Sequence, residues 1–221
     1  MGESDEPAGG EDRIGSSTPY DKRRAEWSDR AHRAAQELIY PEVFGVPKER
    51  LQFESTLLAD SPRGEVLDGE LGVDRIVHVS VGGLMKPIQF TVQERFRSPA
   101  YAKYQDLTVT EWNHASGLPS ELYKITAELF LYGYYDDQAR RFTDALLVNV
   151  ADLKFGITRG TLRYERVFYE AKQQSFLTFK FSGLEQAGAV VYRKSRYALP
   201  VQPAMRMYDG VPVDGTRQVL L

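Results

Sequence analysis

Along PIQFTVQERFR, residues 87–97, apolar and polar positions alternate with period two. Ile88, Phe90, Val92, Glu94 and Phe96 fall on one side, and Gln89, Thr91, Gln93, Arg95 and Arg97 on the other. A strand turns successive side chains to opposite faces, so this stretch predicts a strand with one buried and one wet face. The first face is apolar apart from Glu94; the second is wholly polar and ends in two cations. Whether Gln93 and Arg95 only wet a sheet or line a site is the question that stretch raises.

The period changes along the chain. Over residues 21–39, Ala25, Trp27, Ala31, Ala34, Ala35, Leu38 and Ile39 recur at helical spacing, which predicts an amphipathic helix stopped by Pro41. Its outer face carries Lys22, Arg23, Arg24, Arg30 and Arg33, a solvated face in the plain reading and a phosphate-binding one in the sharper. Strands are predicted at 51–59, at 72–81 with Asp74 near its start, and at 106–113, 127–137, 161–170 and 175–184. GGLMKP reads as the turn of a hairpin joining 72–81 to 87–97, and 61–72 as a turn-rich loop. Residues 116–125 read as a short loop or helix. Residues 143–157 carry both strand and helix signals, and 184–194 begin like a helix and end β-branched. A helix, then strands, then mixed elements predicts an α/β or α+β chain built on a central mixed sheet.

Composition narrows the function classes. The 221 residues are 42% hydrophobic, enough for one domain with a full core. Residues 1–18 are a low-complexity acidic stretch and read as a disordered tail; 19–196 read as one domain, and 197–221, rich in Pro and Gly, as a tail or arm. A formal net charge of −3 supplies no global basic field, so any nucleic-acid binding must use a local patch. The absence of cysteine excludes disulfides, zinc–thiolate sites, iron–sulfur clusters and cysteine nucleophiles. His32, His78 and His114 are the only histidines and show no metal-ligand spacing. No apolar run nears the length of a membrane span, and the N-terminal stretch has no hydrophobic segment, so no membrane partner is expected and the setting is read as cytoplasmic.

Asp74 is an acid in an otherwise apolar strand, and a buried carboxylate needs a partner or a metal. It either sits at the strand end, capping a turn or pairing with Arg75, Arg95 or Arg97, or converges with Gln93 and Arg95 on the neighbouring strand. In the second case Asp74 and the Gln93 amide oxygen are hard ligands suited to Mg2+ or Mn2+, and Arg95 is placed to stabilise a transferring phosphoryl group. A second register uses Glu94, but its i+2 partner is then Phe96, and a salt bridge to Arg30 or Arg33 explains Glu94 more plainly. FRSPAYAKY adds Arg97, Tyr101, Lys103 and Tyr104, cations and rings in the combination that holds single strands, or else an ordinary loop.

Asp74 in GVDRIVHV, followed by the strand Gln93-Glu94-Arg95-Phe96-Arg97, resembles the PD-(D/E)XK nuclease superfamily, most clearly over residues 70–137. The resemblance implies a restriction-endonuclease-like core, one or two divalent metals and hydrolysis of DNA phosphodiester bonds, with strandedness left open. It makes Asp74 the first acid and sets Gln93 and Arg95 where Asp or Glu and Lys are usual. Glu37, Glu54 and Asp106 are the further candidate acids for the metal. Arg cannot accept a proton, so it cannot serve as the base where Lys does. Those two departures also imply an alternative: a catalytically inactive nuclease fold that binds nucleic acid or assembles. A homo-oligomer is left open in either case.

Overall fold

The structure, a computed structural model, describes residues 19–56 and 65–195; the two expected tails, 1–18 and 197–221, lie outside them. Helix α1 (Pro19–Leu38) meets the helix expected from its pattern. Its apolar stripe, Ala31 and Ala35 continued by Ile39, is fully buried. Pro41 does not end helical structure. It sits in the first turn of α2 (Tyr40–Phe44), where a missing N–H costs nothing, and Gly45 closes that helix in the left-handed conformation at φ 63°.

The chain then forms β1 (Leu51–Ser55), β2 (Arg75–Val79) and β3 (Ile88–Arg97), an antiparallel meander containing the expected hairpin. A long crossover follows and holds β4 (Asp106–Asn113), β5 (Leu118–Pro119) and α3 (Glu121–Lys124). Next come β6 (Leu129–Asp136), β7 (Arg141–Asn149) and α4 (Val150–Arg159). Then β8 (Glu165–Tyr169), β9 (Gln174–Lys180), α5 (Phe181–Gln186) and β10 (Val190–Ser195) complete the described chain. The two stretches of mixed signal each resolve as two successive elements: over 143–157 β7 passes straight into α4, and over 184–194 the end of α5 leads through a short turn into β10.

Six strands form a central mixed sheet in the order β1-β2-β3-β6-β7-β10, with β3 and β6 parallel and every other neighbouring pair antiparallel. A second sheet, antiparallel in the order β5-β4-β9-β8, was not foreseen. The fold is therefore α+β, with helices flanking a mixed six-stranded sheet.

Period two in the central strands feeds two cores. Leu129, Leu131, Ala145 and Leu147 pack with Val77, Val79 and Val92 against Ala31, Ala35 and Ile39 of the N-terminal helices. On the opposite face, Phe130, Tyr132, Tyr134, Leu146 and Val148 pack with Leu107, Val109, Leu177 and Phe179 of the second sheet and with Leu153, Phe181 and Leu184 of the later helices. Each fully buried large side chain contributes about 2 kcal/mol by area, which explains why the all-apolar run of β6, covered on both sides, is the sheet's middle. Among the described residues no helix is long and apolar enough to cross a membrane.

Candidate functional site

Both faces of β3 are used, and they do different work. Glu94 points to the α1 side and is completely buried. His32 Nδ1 lies 2.5 Å from its Oε2, Arg75 Nε donates to the same oxygen at 3.1 Å, and the Tyr40 hydroxyl donates to Oε1. Burial alone would push this carboxyl up, but the bond from His32 and the charge of Arg75 outweigh it and hold it below the ordinary range. Burial and the adjacent Glu94 charge push the Tyr40 phenol well above its usual value. The partner that the helix supplies to Glu94 is thus His32, not the expected Arg30 or Arg33. Arg30, named for that role, instead makes a bidentate pair with Asp137 at 2.8 and 2.9 Å. One turn of α1 reaches the strand with His32 while its flanking cations face outward.

Gln93, Arg95 and Arg97 point the other way. In the parallel ladder they stand opposite Phe130, Tyr132 and Tyr134, the aromatic column that packs toward the second sheet. They do not wet an open sheet but line a half-buried seam beneath the crossover.

Asp74 precedes β2 by one residue and is buried. Its backbone N–H donates to Val92 O at 3.0 Å, and its Oδ2 accepts from Glu94 N at 2.7 Å. These bonds bracket Gln93, so Asp74 faces Gln93 across the ladder. The carboxylate also extends the β2–β3 pairing, a plain structural duty. Gln93 Oε1 is buried and accepts no hydrogen bond. A buried acceptor without a protein donor is costly and is ordinarily met by an ordered water, an ion or a ligand.

Arg95 is engaged already. Its NH1 donates to Thr108 O at 3.0 Å and pairs with Glu121 Oε2 at 2.7 Å. The same Glu121 oxygen accepts from Thr110 N and Thr110 Oγ1 at 3.3 and 3.1 Å. Glu121 was not singled out from sequence. It stands in a short helix inside the crossover, and only the fold carries it back to β3. Arg97 donates to Thr108 Oγ1 and to the Tyr132 hydroxyl, both at 3.3 Å, and its guanidinium lies 4.2 Å from the centre of the Tyr101 ring. Burial works against its charge, but the oxygen of Tyr132 and the nearby Asp106 outweigh burial.

Tyr101, Lys103 and Tyr104 belong to a short 3-10 segment, Pro99–Tyr104, that follows β3 directly. Both rings are exposed, and Lys103 Nζ lies 5.0 Å from the Tyr104 ring centre. The structure therefore joins Gln93, Arg95, Arg97 and this cation–aromatic segment along one face.

The remaining candidate acids are dispersed. Glu54 lies on β1 opposite Ile76, on the face turned away from α1, and its Oε2 is 3.7 Å from His78 Nε2. Glu37 is on the exposed side of α1 and pairs with Lys48 at 3.0 Å, with the sheet between it and the Gln93 face. Asp106 accepts from the Tyr134 hydroxyl and lies 3.7 Å from Lys180. Among the described residues, no three acidic or histidine side chains gather as a metal site. Asp74 and Gln93, on neighbouring strands, each carry a hard oxygen donor. Mg2+ commonly takes one or two protein oxygens and completes its shell with water and substrate phosphate.

Comparison of the chain with family models, with curated proteins and with solved structures returned no match.

Proposed function

We propose that this chain is a divalent-metal-dependent nuclease that hydrolyses phosphodiester bonds of DNA in the cytoplasm, with Asp74 and Gln93 holding Mg2+ or Mn2+. The observation that carries the reading is Gln93 Oε1, a buried acceptor with no donor, set across the ladder from the Asp74 carboxylate. A cation held there supplies an activated water and offsets negative charge on the phosphate. Arg95 cannot take a proton, but exchanging its Glu121 contact for a phosphate oxygen lets it stabilise the pentacovalent charge. Arg97, stacked on Tyr101, and Lys103 continue the cationic line for the flanking strand. The resemblance to PD-(D/E)XK nucleases supports the same assignment of Asp74, Gln93 and Arg95.

A second reading is favoured by a specific contact. Arg95 is neutralised by Glu121 at 2.7 Å, which suits a resting scaffold more than a waiting catalyst. In that reading the fold binds nucleic acid without cutting it. Cleavage of single-stranded, duplex and branched DNA in Mg2+, Mn2+ or EDTA, by wild type and Asp74→Ala side by side, separates the two. Metal-dependent cutting that Asp74→Ala abolishes supports the nuclease. No cutting by wild type, with no Asp74-dependent uptake of Mn2+, supports the binding module.

A further inference from the structure

On the α1 side of the central sheet lies a cavity of about 530 Å3, between the helix and the ends of β1 and β2. Its lining includes His32, Arg33 and Gln36 of α1, Ser55 of β1 and Arg75 of β2, with Asp29 one turn back along the helix. Ser55 stands opposite Arg75 in the ladder, so both turn to the same face. Glu94 shares that face and bonds His32 and Arg75 directly behind the cavity wall. Gln93 and Arg95 point to the other face, so the cavity is separate from the proposed metal site.

Glu94 decides what that wall presents. The carboxylate has no accessible surface, whereas the side chains of Arg75 and His32 keep 5% and 12% of theirs. What reaches the cavity is therefore the part of each group turned away from Glu94. For Arg75, held through Nε, that part is the fork of NH1 and NH2. For His32, held through Nδ1, it is the ring edge that carries Nε2. Among the described residues neither the fork nor Nε2 has a hydrogen-bond partner. Both are fixed in advance: Glu94 anchors the two groups, and the His32 ring packs edge-on against Phe96 at 5.0 Å between centres. Arg75 is balanced by Glu94, and the exposed Asp29 stands one turn from the exposed Arg33. The wall thus carries little net charge, and its fixed donors, not a surplus of positive charge, select what enters.

We infer that this cavity binds a phosphate group, with the Arg75 fork on two of its oxygens and His32 Nε2 on a third. A guanidinium fork matches two oxygens of one oxyanion, and a fork whose Nε is already anchored loses little freedom on binding. Nε2 serves a phosphate in either state, donating to P–O− as N–H or accepting from P–O–H as a lone pair. Gln36 and Ser55 add an amide and a hydroxyl, and Arg33 adds a cation at the exposed side. Donors that come from α1, β1 and β2 converge from several directions. That suits a tetrahedral group with three free oxygens and not a planar carboxylate with two. The group is free phosphate or the phosphate of an organic monoester, which have this chemistry in common. The inference goes beyond the nuclease reading and needs none of it, since the cavity lies across the sheet from Gln93.

The test is a titration of the full chain, in EDTA, followed through the imidazole 1H–15N signals and by calorimetry. The ligands are inorganic phosphate and thymidine 5′-monophosphate, with acetate as the planar control. The His32 signals are expected to shift saturably with both phosphates, while His78 and His114, which do not line the cavity, stay in place. Tighter binding of the monophosphate assigns the site to an organic ester, and equal binding assigns it to free phosphate. Arg75→Lys keeps a cation for Glu94 but loses the fork, and should weaken phosphate about tenfold, the worth of one charge-assisted bond. His32→Asn keeps a donor for Glu94 but loses Nε2, and should weaken it by a similar factor. Arg33→Glu leaves the buried cluster intact and should weaken phosphate severalfold, which keeps the test decisive if either buried variant fails to melt as a folded protein. No saturable shift at His32, equal shifts at all three histidines, or acetate bound as tightly as phosphate overturns the inference. Unchanged affinity in the folded variants does so too, as does binding that disappears between about 50 and about 200 mM salt, the mark of loose surface attraction.

Discussion

His32 Nδ1 and Glu94 Oε2 lie 2.5 Å apart, joining the middle of the first helix to the centre of β3 inside an otherwise apolar layer. With Arg75 and Tyr40 on the same carboxylate, Glu94 satisfies three polar side chains at once. Removing it strands Arg75, which is nearly as buried as Glu94 itself. Loss of one member of a buried charge pair costs several kcal/mol because the other charge is left uncompensated. Glu94→Ala is therefore expected to destabilise the protein by about 3 kcal/mol, read as a lower urea midpoint with an unchanged slope. Helix α1 should be the first element to lose hydrogen-exchange protection.

The same carboxyl gives the stability a direction in pH. Its folded value is held below the ordinary 4.5. A carboxyl so lowered contributes stability above its unfolded value, and that contribution is lost as pH falls through the folded value. Glu111 acts alike: the bond from Arg166 lowers it, with Oε1 and Oε2 both at 2.7 Å from the guanidinium. The denaturation midpoint should hold from neutral pH down to about 4.5 and then fall, and Glu94→Gln should flatten that fall.

Asp144 has the opposite sign. Burial pushes its carboxyl above the ordinary value, although Gln105 and Arg193 pull it back. A raised carboxyl contributes its stability below the unfolded value and loses it as pH rises, so at neutral pH its charge is a burden. Asparagine keeps an oxygen for the Gln105 amide, and Arg193 keeps Glu185. Asp144→Asn is expected to leave the melting temperature at pH 7 unchanged or a few degrees higher, and lower relative to wild type at pH 4. A marked loss at neutral pH would mean that the charge of Asp144 supports the fold.

Local pattern disclosed much of this and missed what depends on distant pairing. Alternation in 87–97 assigned Glu94 to the buried face and Gln93 with Arg95 to the other, and both assignments describe the strand as it stands. The demand that Glu94 find a partner on the first helix was also legible. Which partner was not, since helical spacing places His32 and Arg33 side by side and only the docking angle selects between them. The second sheet was invisible because its defining pair, β4 with β9, joins Leu107 to Phe179 and Val109 to Leu177 across some seventy residues. Without that sheet, the seam around Gln93 reads as open surface. Glu121 escaped notice for the same reason: nothing near Ser120–Ile125 reveals that the crossover returns it to Arg95. Tertiary placement overrode Pro41 as well, by starting a new helix around it.

Gly133 marks the tightest approach in the central sheet. A methyl group there would meet Phe142 Cδ1 at 2.8 Å and Cε1 at 2.9 Å. Phe142 is itself packed on Phe96 and Tyr135, with ring centres at 5.3 and 5.2 Å, so it cannot swing clear. Gly133→Ala is expected to cost about 2 kcal/mol through overpacking, despite alanine's better fit to a strand. Pairing it with Phe142→Leu should return part of that loss in a double-mutant cycle, whereas additive losses would place the strain elsewhere.

The Arg95–Glu121 contact sets up a competition that mutation can tilt. Glu121 holds Arg95 at 2.7 Å and is itself held by Thr110. Glu121→Gln keeps an oxygen for the Thr110 bonds but drops the charge that opposes a phosphate. Freed in this way, Arg95 gains one charge-assisted bond to nucleic acid, about 1.5 kcal/mol or somewhat over tenfold in affinity. The added contact should also steepen the salt dependence by about one released counterion. Both effects should vanish in Glu121→Gln/Arg95→Gln, which removes the competing cation. Unchanged affinity in the single variant would show that phosphate does not reach Arg95, and the catalytic role assigned to it would fall with that result.

Gln93 offers the most direct reading of the proposed metal. An amide oxygen is a neutral donor, and ligand charge is the main determinant of affinity for a hard divalent cation. Gln93→Glu places a second carboxylate opposite Asp74 and restores the acid that the resembled nucleases carry at this position. If a cation occupies the gap, Mn2+ should bind the variant about tenfold more tightly by isothermal titration, and added Mn2+ should raise its melting temperature more than it raises that of wild type. Without metal, the two facing carboxylates repel, so the apo variant should melt below wild type and its loss should deepen from pH 5 to pH 8 as both groups ionise. Rescue by Mn2+, and by Mg2+ at higher concentration, separates a metal site from a merely crowded one. A variant that is destabilised and not rescued by either ion would assign Gln93 to packing and remove the basis of the proposed hydrolysis.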